Sequence, residues 1–159
     1  MTADNDLWRF SLRVYAAPGV ADECLALQER YGIDVNVLLF CTWMAAERRS
    51  ILSTDDIENC QRAVADWHAR AVKPLRTARQ AMKGLAGAEA VRTQVKALEL
   101  ETERLEQGML FALAVERWPQ RGNAETVDAL RTTIDRYLQS HGAPGSQAVP
   151  HLMAAAATT

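Results

Sequence analysis

Apolar positions along the chain recur at steps of three and four, the period of one helix face, and no stretch alternates at two. Leu7, Phe10 and Val14 form a first stripe that stops before Pro18-Gly19. Val20, Cys24, Leu27 and Tyr31 form a second, followed by Gly32 where a left-handed C-terminal cap belongs. Asp34 caps a third helix, with Ile33 and Leu38 in hydrophobic-staple positions. From Val37 to Ala46 this segment is apolar nearly all round, which predicts a helix enclosed by others. It turns polar at Glu47-Arg48-Arg49-Ser50, where it leaves the core.

Ser53 and Asp56 have capping-box spacing and open a fourth helix, with Ile57, Cys60, Val64, Trp67 and Ala71 facing inward. Pro74 lacks an N–H and clashes with the carbonyl of Arg70, so a kink or short break is expected there. The pattern resumes through Leu75, Ala78 and Met82 and ends at Gly84. Beyond the Gly84–Gly87 turn, Val91, Val95, Leu98, Thr102, Leu105, Met109 and Ala112 have the spacing of a bundle seam. Trp118-Pro119 ends that long helix. Asn123 caps the last one, with Val127, Leu130, Ile134, Tyr137 and Leu138 on its apolar stripe and Gly142 closing it. Residues 143–159 contain no Asp, Glu, Lys or Arg and two prolines, and read as a flexible tail. The prediction is an all-α single-domain bundle over residues 5–142, of about six helices, one kinked at Pro74, with a long penultimate helix and a flexible C-terminal tail.

Composition agrees with a globular domain: 48% of the 159 residues are hydrophobic and 24% charged, with a formal net charge of −2 that excludes a globally basic nucleic-acid binder. The longest near-apolar run is about half a membrane span, and Met1 to Asp6 lack the basic and apolar regions of a secretory leader, so a cytoplasmic protein without membrane contact is expected. Cys24, Cys41 and Cys60 form no C-x-x-C pair and read as buried, reduced thiols.

The charge distribution is less ordinary than its sum. Residues 61–84 carry Arg62, Arg70, Lys73, Arg76, Arg79 and Lys83 against Asp66 alone, a local +5 that leaves −7 for the rest of the chain. On an uninterrupted helix Arg62, Lys73, Arg76, Arg79 and Lys83 fall within an arc of about 120°, opposite the apolar side. Two readings of this stripe stand open. Lys73, Arg76, Arg79 and Lys83 dock an anionic partner, an acidic protein surface or an RNA backbone; or the stripe is neutralised internally by Glu99, Glu103 and Glu106, which share a face of the long helix.

Catalytic motifs are absent. No nucleotide loop or Ser/His/Asp motif is recognisable, and no Glu-x-x-His pair accompanies the helical acids, so no metal or cofactor is expected. Asp55-Asp56-Ile57-Glu58-Asn59 sits in a first helical turn, where acids offset the helix dipole. His68, beside Trp67, reads as a boundary residue. Asp34 and Asn36 open the core helix; capping explains them, and so does lining a small site between helices.

Taken together, Leu7-Trp8, Pro18-Gly19-Val20, Cys24-Leu25, Leu27-Gln28, Asp34-Val35-Asn36, Leu38-Leu39, Trp43, Trp67 and Pro74-Leu75-Arg76 with Arg79 and Lys83 resemble an uncharacterised proteobacterial family of all-helical proteins of about this length. The resemblance covers residues 7 to 84 and, more loosely, the long helix to 113. It implies a bacterial cytoplasmic protein and no activity, cofactor or catalytic residue. The expected function is therefore a non-catalytic interaction or adaptor protein using the basic stripe, with homodimerisation through the long helix as a further expectation. The alternative is a helical enzyme or binder of a small phosphorylated ligand held near Asp34, Asn36, Arg76 and Arg79.

Overall fold

A computed structural model describes residues 4–158 and places them in helices, with no strand among them. The helices are α1 (Asp6–Tyr15), α2 (Val20–Tyr31), α3 (Val35–Ala46), α4 (Thr54–Trp67), α5 (Lys73–Ala81), α6 (Glu89–Arg117), α7 (Thr126–Ser140) and α8 (Pro150–Ala157). A π-turn (His68–Val72) joins α4 to α5, so these form one continuous column. Among the described residues that leaves the six helical columns expected, and a seventh, α8.

The start signals act as their chemistry dictates. Asp34 accepts from the Asn36 N–H at 2.9 Å. Ser53 and Asp56 close a reciprocal capping box at 3.1 Å in both directions. Gly32 ends α2 at φ 67°, a backbone state that costs a side chain little only when there is none. α3 is the axis of the domain: every residue from Asn36 to Ala46 is buried. Around it Leu7, Phe10, Leu52, Leu110, Leu130, Ile134 and Leu138 close one continuous core.

Four expectations are corrected. No break occurs at Pro74, and the irregularity expected there takes the form of a π-turn just upstream. The π-turn upstream of it has the Lys73 N–H donating to the His68 carbonyl five residues back. This wider turn absorbs the proline that a regular helix would reject. The N-cap of α7 is Glu125 rather than Asn123; its carboxylate accepts from the Asp128 N–H at 3.0 Å. The seam expected on α6 is not its buried face: Val91, Leu98 and Leu105 are exposed, whereas Glu99, Glu106 and Gln107 are buried ahead of Leu110 and Ala114.

The fourth correction concerns residues 143–158. In place of a loose tail they form a 3-10 turn (Ser146–Ala148) and α8. Val149, Leu152 and Ala156 are fully buried in the main core, against α1, α2, α3 and α7. The Glu23 carboxylate of α2 accepts the first free N–H groups of α8, from His151 at 2.8 Å and Leu152 at 3.0 Å. An acid at a helix N-terminus satisfies orphan donors and offsets the dipole. The long helix is thus antepenultimate rather than penultimate.

Cys24, Cys41 and Cys60 are free and buried. Burial pushes the Cys24 and Cys60 thiols up to about 12 and Cys41 well above its ordinary value. Near pH 8, where an ordinary thiol is partly thiolate, the folded protein should leave a thiol reagent unconsumed, and all three cysteines should react after unfolding. Leu152→Ala should destabilise the domain by about 2–5 kcal/mol in urea titration, the range for a fully buried leucine; a loose tail would give no change.

Candidate functional site

The row of α6 that faces inward is acidic: Glu99, Glu103, Glu106 and then Gln107. Carboxylates taken out of water need partners, and the column α4–π–α5 supplies them. Arg76 donates from Nε to Glu99 at 3.2 Å and from Nη2 to Glu103 at 3.1 Å. Arg79 donates to both oxygens of Glu99. The Glu99 side chain is 7% exposed and that of Arg76 13%. Trp67 donates its indole N–H to the Thr102 carbonyl at 2.8 Å and fixes the two columns against each other.

One turn further along, Glu106 is fully buried and has no arginine. Its Oε2 lies 3.0 Å from His68 Nδ1, and the same nitrogen lies 3.1 Å from Asp34 Oδ2. His68 opens the π-turn, Asp34 caps α3 and Glu106 belongs to α6, so three elements converge. Asp34 is held from both sides by Tyr137, whose hydroxyl accepts its backbone N–H at 3.1 Å and donates to its carbonyl at 3.0 Å. Behind the cluster Gln107 donates to the Asn36 side-chain oxygen at 3.0 Å. Glu106 Oε1 and Gln107 Oε1 are buried without a hydrogen-bond partner.

Burial governs the protonation of this cluster. It raises the Asp34 carboxyl well above the usual carboxylate range, with the hydrogen bond and charge of Glu106 adding to the rise and His68 opposing it. Burial raises Glu106 too, against hydrogen bonds from Asp34 and Asn36. It lowers His68, which Asp34 pulls back up while Arg76 and Lys73 push further down. Two carboxyls and one imidazole thus share a volume that disfavours charge on all three. Their ligand atoms lie within 4.8 Å of one another, so the same trio can hold a metal ion.

The cluster is not sealed. A cleft of about 190 Å³ between α3, α4 and the π-turn is lined by Asp34, Val37, Gln61, His68, Ala69 and Lys73. A larger hollow of about 430 Å³ lies between α1 and α8, where Arg13 and Glu47 pair with each other at 3.0 Å. It contains no comparable convergence of buried polar groups.

The residues singled out from the sequence therefore separate. Asp34 and Asn36 lie at the cluster and Lys73 stands at the cleft rim. Arg76 and Arg79 are turned onto Glu99 and Glu103, and Lys83 is exposed beyond the end of α5. Sequence reasoning missed His68, Glu106, Gln107 and Tyr137. A signal for His68 existed: Ile57, Cys60, Val64, His68 and Val72 follow one buried stripe, and His68 is its only polar member.

A protein-family model described as "Protein of unknown function (DUF2390)" matches residues 6–110, which include Asp34, His68, Glu106 and both arginines. No curated protein and no solved structure matches the chain.

Glu99→Ala should lower stability by about 3–5 kcal/mol in urea titration, because it strands Arg76 and Arg79 in a half-dry site. Exposed Glu101→Ala on the same helix should change it by less than about 0.5 kcal/mol.

Proposed function

We propose, for a chain that belongs to the family described as "Protein of unknown function (DUF2390)", that it binds a small anionic metabolite in the cleft above Asp34 and His68. The observation that carries this reading is the Asp34–His68–Glu106 cluster, buried at considerable cost and left open on one side to a cleft. Capping of α3 explains Asp34 but not the burial of His68 and Glu106 beside it, and costly buried polar clusters in clefts mark functional sites. At about 190 Å³ the cleft is below the roughly 300–1,000 Å³ of drug-sized ligand pockets, which limits an occupant to a small molecule. The exposed Lys73 ammonium at its rim supplies a partner for a phosphate or carboxylate, while Val37 and Ala69 supply apolar wall.

Docking of an anionic macromolecule through Lys73, Arg76, Arg79 and Lys83 is the weaker reading. Arg76 and Arg79, the side chains best shaped for phosphate, already serve Glu99 and Glu103. What remains of the stripe is Lys73 and Lys83, with Arg62. A cytoplasmic setting is part of the proposal. Three free cysteines fit a reducing compartment, and no helix among the described residues is long and apolar enough to cross a membrane.

A thermal-shift panel of small phosphorylated and carboxylate metabolites, run in chelator and again with added Zn²⁺ or Mn²⁺, tests the reading. A ligand at a hundredfold excess over its Kd adds about 2.7 kcal/mol, or roughly 5–10 °C in Tm. At least one member should give such a shift, and Lys73→Glu should abolish it without lowering the unliganded Tm. No shift in either arm, together with salt-sensitive capture of partners that Lys73→Glu/Lys83→Glu loses, would replace this reading with macromolecular docking.

A further inference from the structure

We propose that Asp34, His68 and Glu106 form a binding site for one divalent transition-metal ion, Zn²⁺ or Mn²⁺, at the floor of the cleft. The inference rests on the small-ligand reading only for its open side; the ion needs no ligand to bind.

Geometry is the first argument. Atoms bound to one ion at about 2.1 Å lie roughly 3.0 Å apart when at right angles and about 3.4 Å apart in a tetrahedron. His68 Nδ1 stands 3.1 Å from Asp34 Oδ2 and 3.0 Å from Glu106 Oε2, and all three ligand atoms lie within 4.8 Å of one another, so side-chain adjustment alone brings them onto one ion. The donors come from a helix cap, a π-turn and the middle of a long helix. Asp34 is also pinned by Tyr137 and by the N-terminus of α3. A site already held in place loses little freedom on binding.

Charge is the second argument. The neighbouring pairs balance: Arg76 and Arg79 face Glu99 and Glu103. Asp34 and Glu106 set two carboxyls beside one imidazole, and carboxyls give up their protons when they bind an ion. An ion of charge +2 matches two carboxylates.

The orphaned oxygen is the third. Glu106 Oε1 is fully buried without a hydrogen-bond partner, an expensive state for a carboxylate. Bidentate attachment of Glu106 to an ion gives that oxygen a partner. An imidazole among the donors favours a transition ion over Mg²⁺ or Ca²⁺, which take oxygen alone.

A bound ion also removes a difficulty in the proposed function. An anionic metabolite in the cleft meets the Asp34 carboxyl; a divalent cation there reverses the local sign and offers an open coordination position to a phosphate or carboxylate oxygen.

The test uses the untagged, full-length protein, stripped with chelator and dialysed against Zn²⁺ or Mn²⁺ with no metabolite present. One equivalent per chain is expected, with affinity lowered at least about tenfold by His68→Gln and by Glu106→Gln. His151→Ala, which removes the exposed His151–Glu23 pair at 2.6 Å, should leave uptake unchanged. A second readout needs no variant: on adding Zn²⁺ the ¹⁵N resonance of His68 Nδ1 should shift, while those of His141 and His151 stay in place. Absence of stoichiometric uptake, unchanged affinity in both folded variants, or a shift at His141 or His151 instead of His68 would overturn the site. Metal uptake without any metabolite shift would sink the ligand reading alone. A metabolite shift in chelator without metal uptake would sink the ion alone.

Discussion

The inward acid row of α6 is the constraint on which the rest of the arrangement depends. Glu99, Glu103 and Glu106 share a helix face, and that face is pressed against the α4–π–α5 column. An uncompensated carboxylate there would cost several kcal/mol, a large part of a domain's net stability. The column opposite must therefore present bases at matching heights, and it does: Arg79 and Arg76 reach Glu99, Arg76 also reaches Glu103, and His68 meets Glu106. The π-turn makes this register possible. One inserted residue rotates everything downstream by roughly the 100° that one residue occupies on a regular helix. It brings Arg76 and Arg79 from the solvent side toward α6 and lets Pro74 sit in the column unbroken.

The same rotation explains what could be read from the chain and what could not. α3 was legible because an all-round apolar segment has only one place to go, and Asn36 to Ala46 are all buried. The caps at Asp34 and Ser53 and the turn at Gly32 were legible because each rests on local geometry. The basic stripe holds together only on an uninterrupted helix of 100° per residue, and the π-turn at His68–Val72 interrupts it midway. On α6 two faces competed. Hydrophobicity favours the face with more apolar residues, through Val91, Leu98 and Leu105. Leu110 and Ala114 continue back through Glu106, Glu103 and Glu99, a stripe whose polarity disguised its burial. Pairing across helices decides between such faces, and no local pattern encodes it. The C-terminal segment failed for a related reason. Its lack of charge looked like lack of structure, whereas Val149, Leu152 and Ala156 needed only an acceptor for the α8 N-terminus, and Glu23 provides it from 128 residues away.

Two polar groups now lie side by side with opposite characters. The Arg76–Arg79–Glu99–Glu103 group is matched in charge and mostly removed from solvent; it fixes α5 on α6 and has little capacity left for anything else. The Asp34–His68–Glu106 group has more carboxyls than bases, an unpartnered oxygen and an open wall. Capping of α3 accounts for Asp34, but apolar residues of similar volume would fill the positions of His68 and Glu106 at no greater cost. Local rules that are broken without a structural gain concentrate where a protein does its work.

The matched group also protects the unmatched one. Arg76 stands near both, and its guanidinium lowers His68 toward the neutral form while it is bound to Glu99 and Glu103. Were Arg76 free to swing, its guanidinium would compete for the Asp34 and Glu106 carboxyls. Holding it between two glutamates keeps the arginine out of the cleft and leaves Lys73, on a flexible stem at the rim, as the exposed cation among the cleft-lining side chains. The acid row thus has two parts along one helix: Glu99 and Glu103 immobilise the arginines, and Glu106 faces an imidazole in place of an arginine.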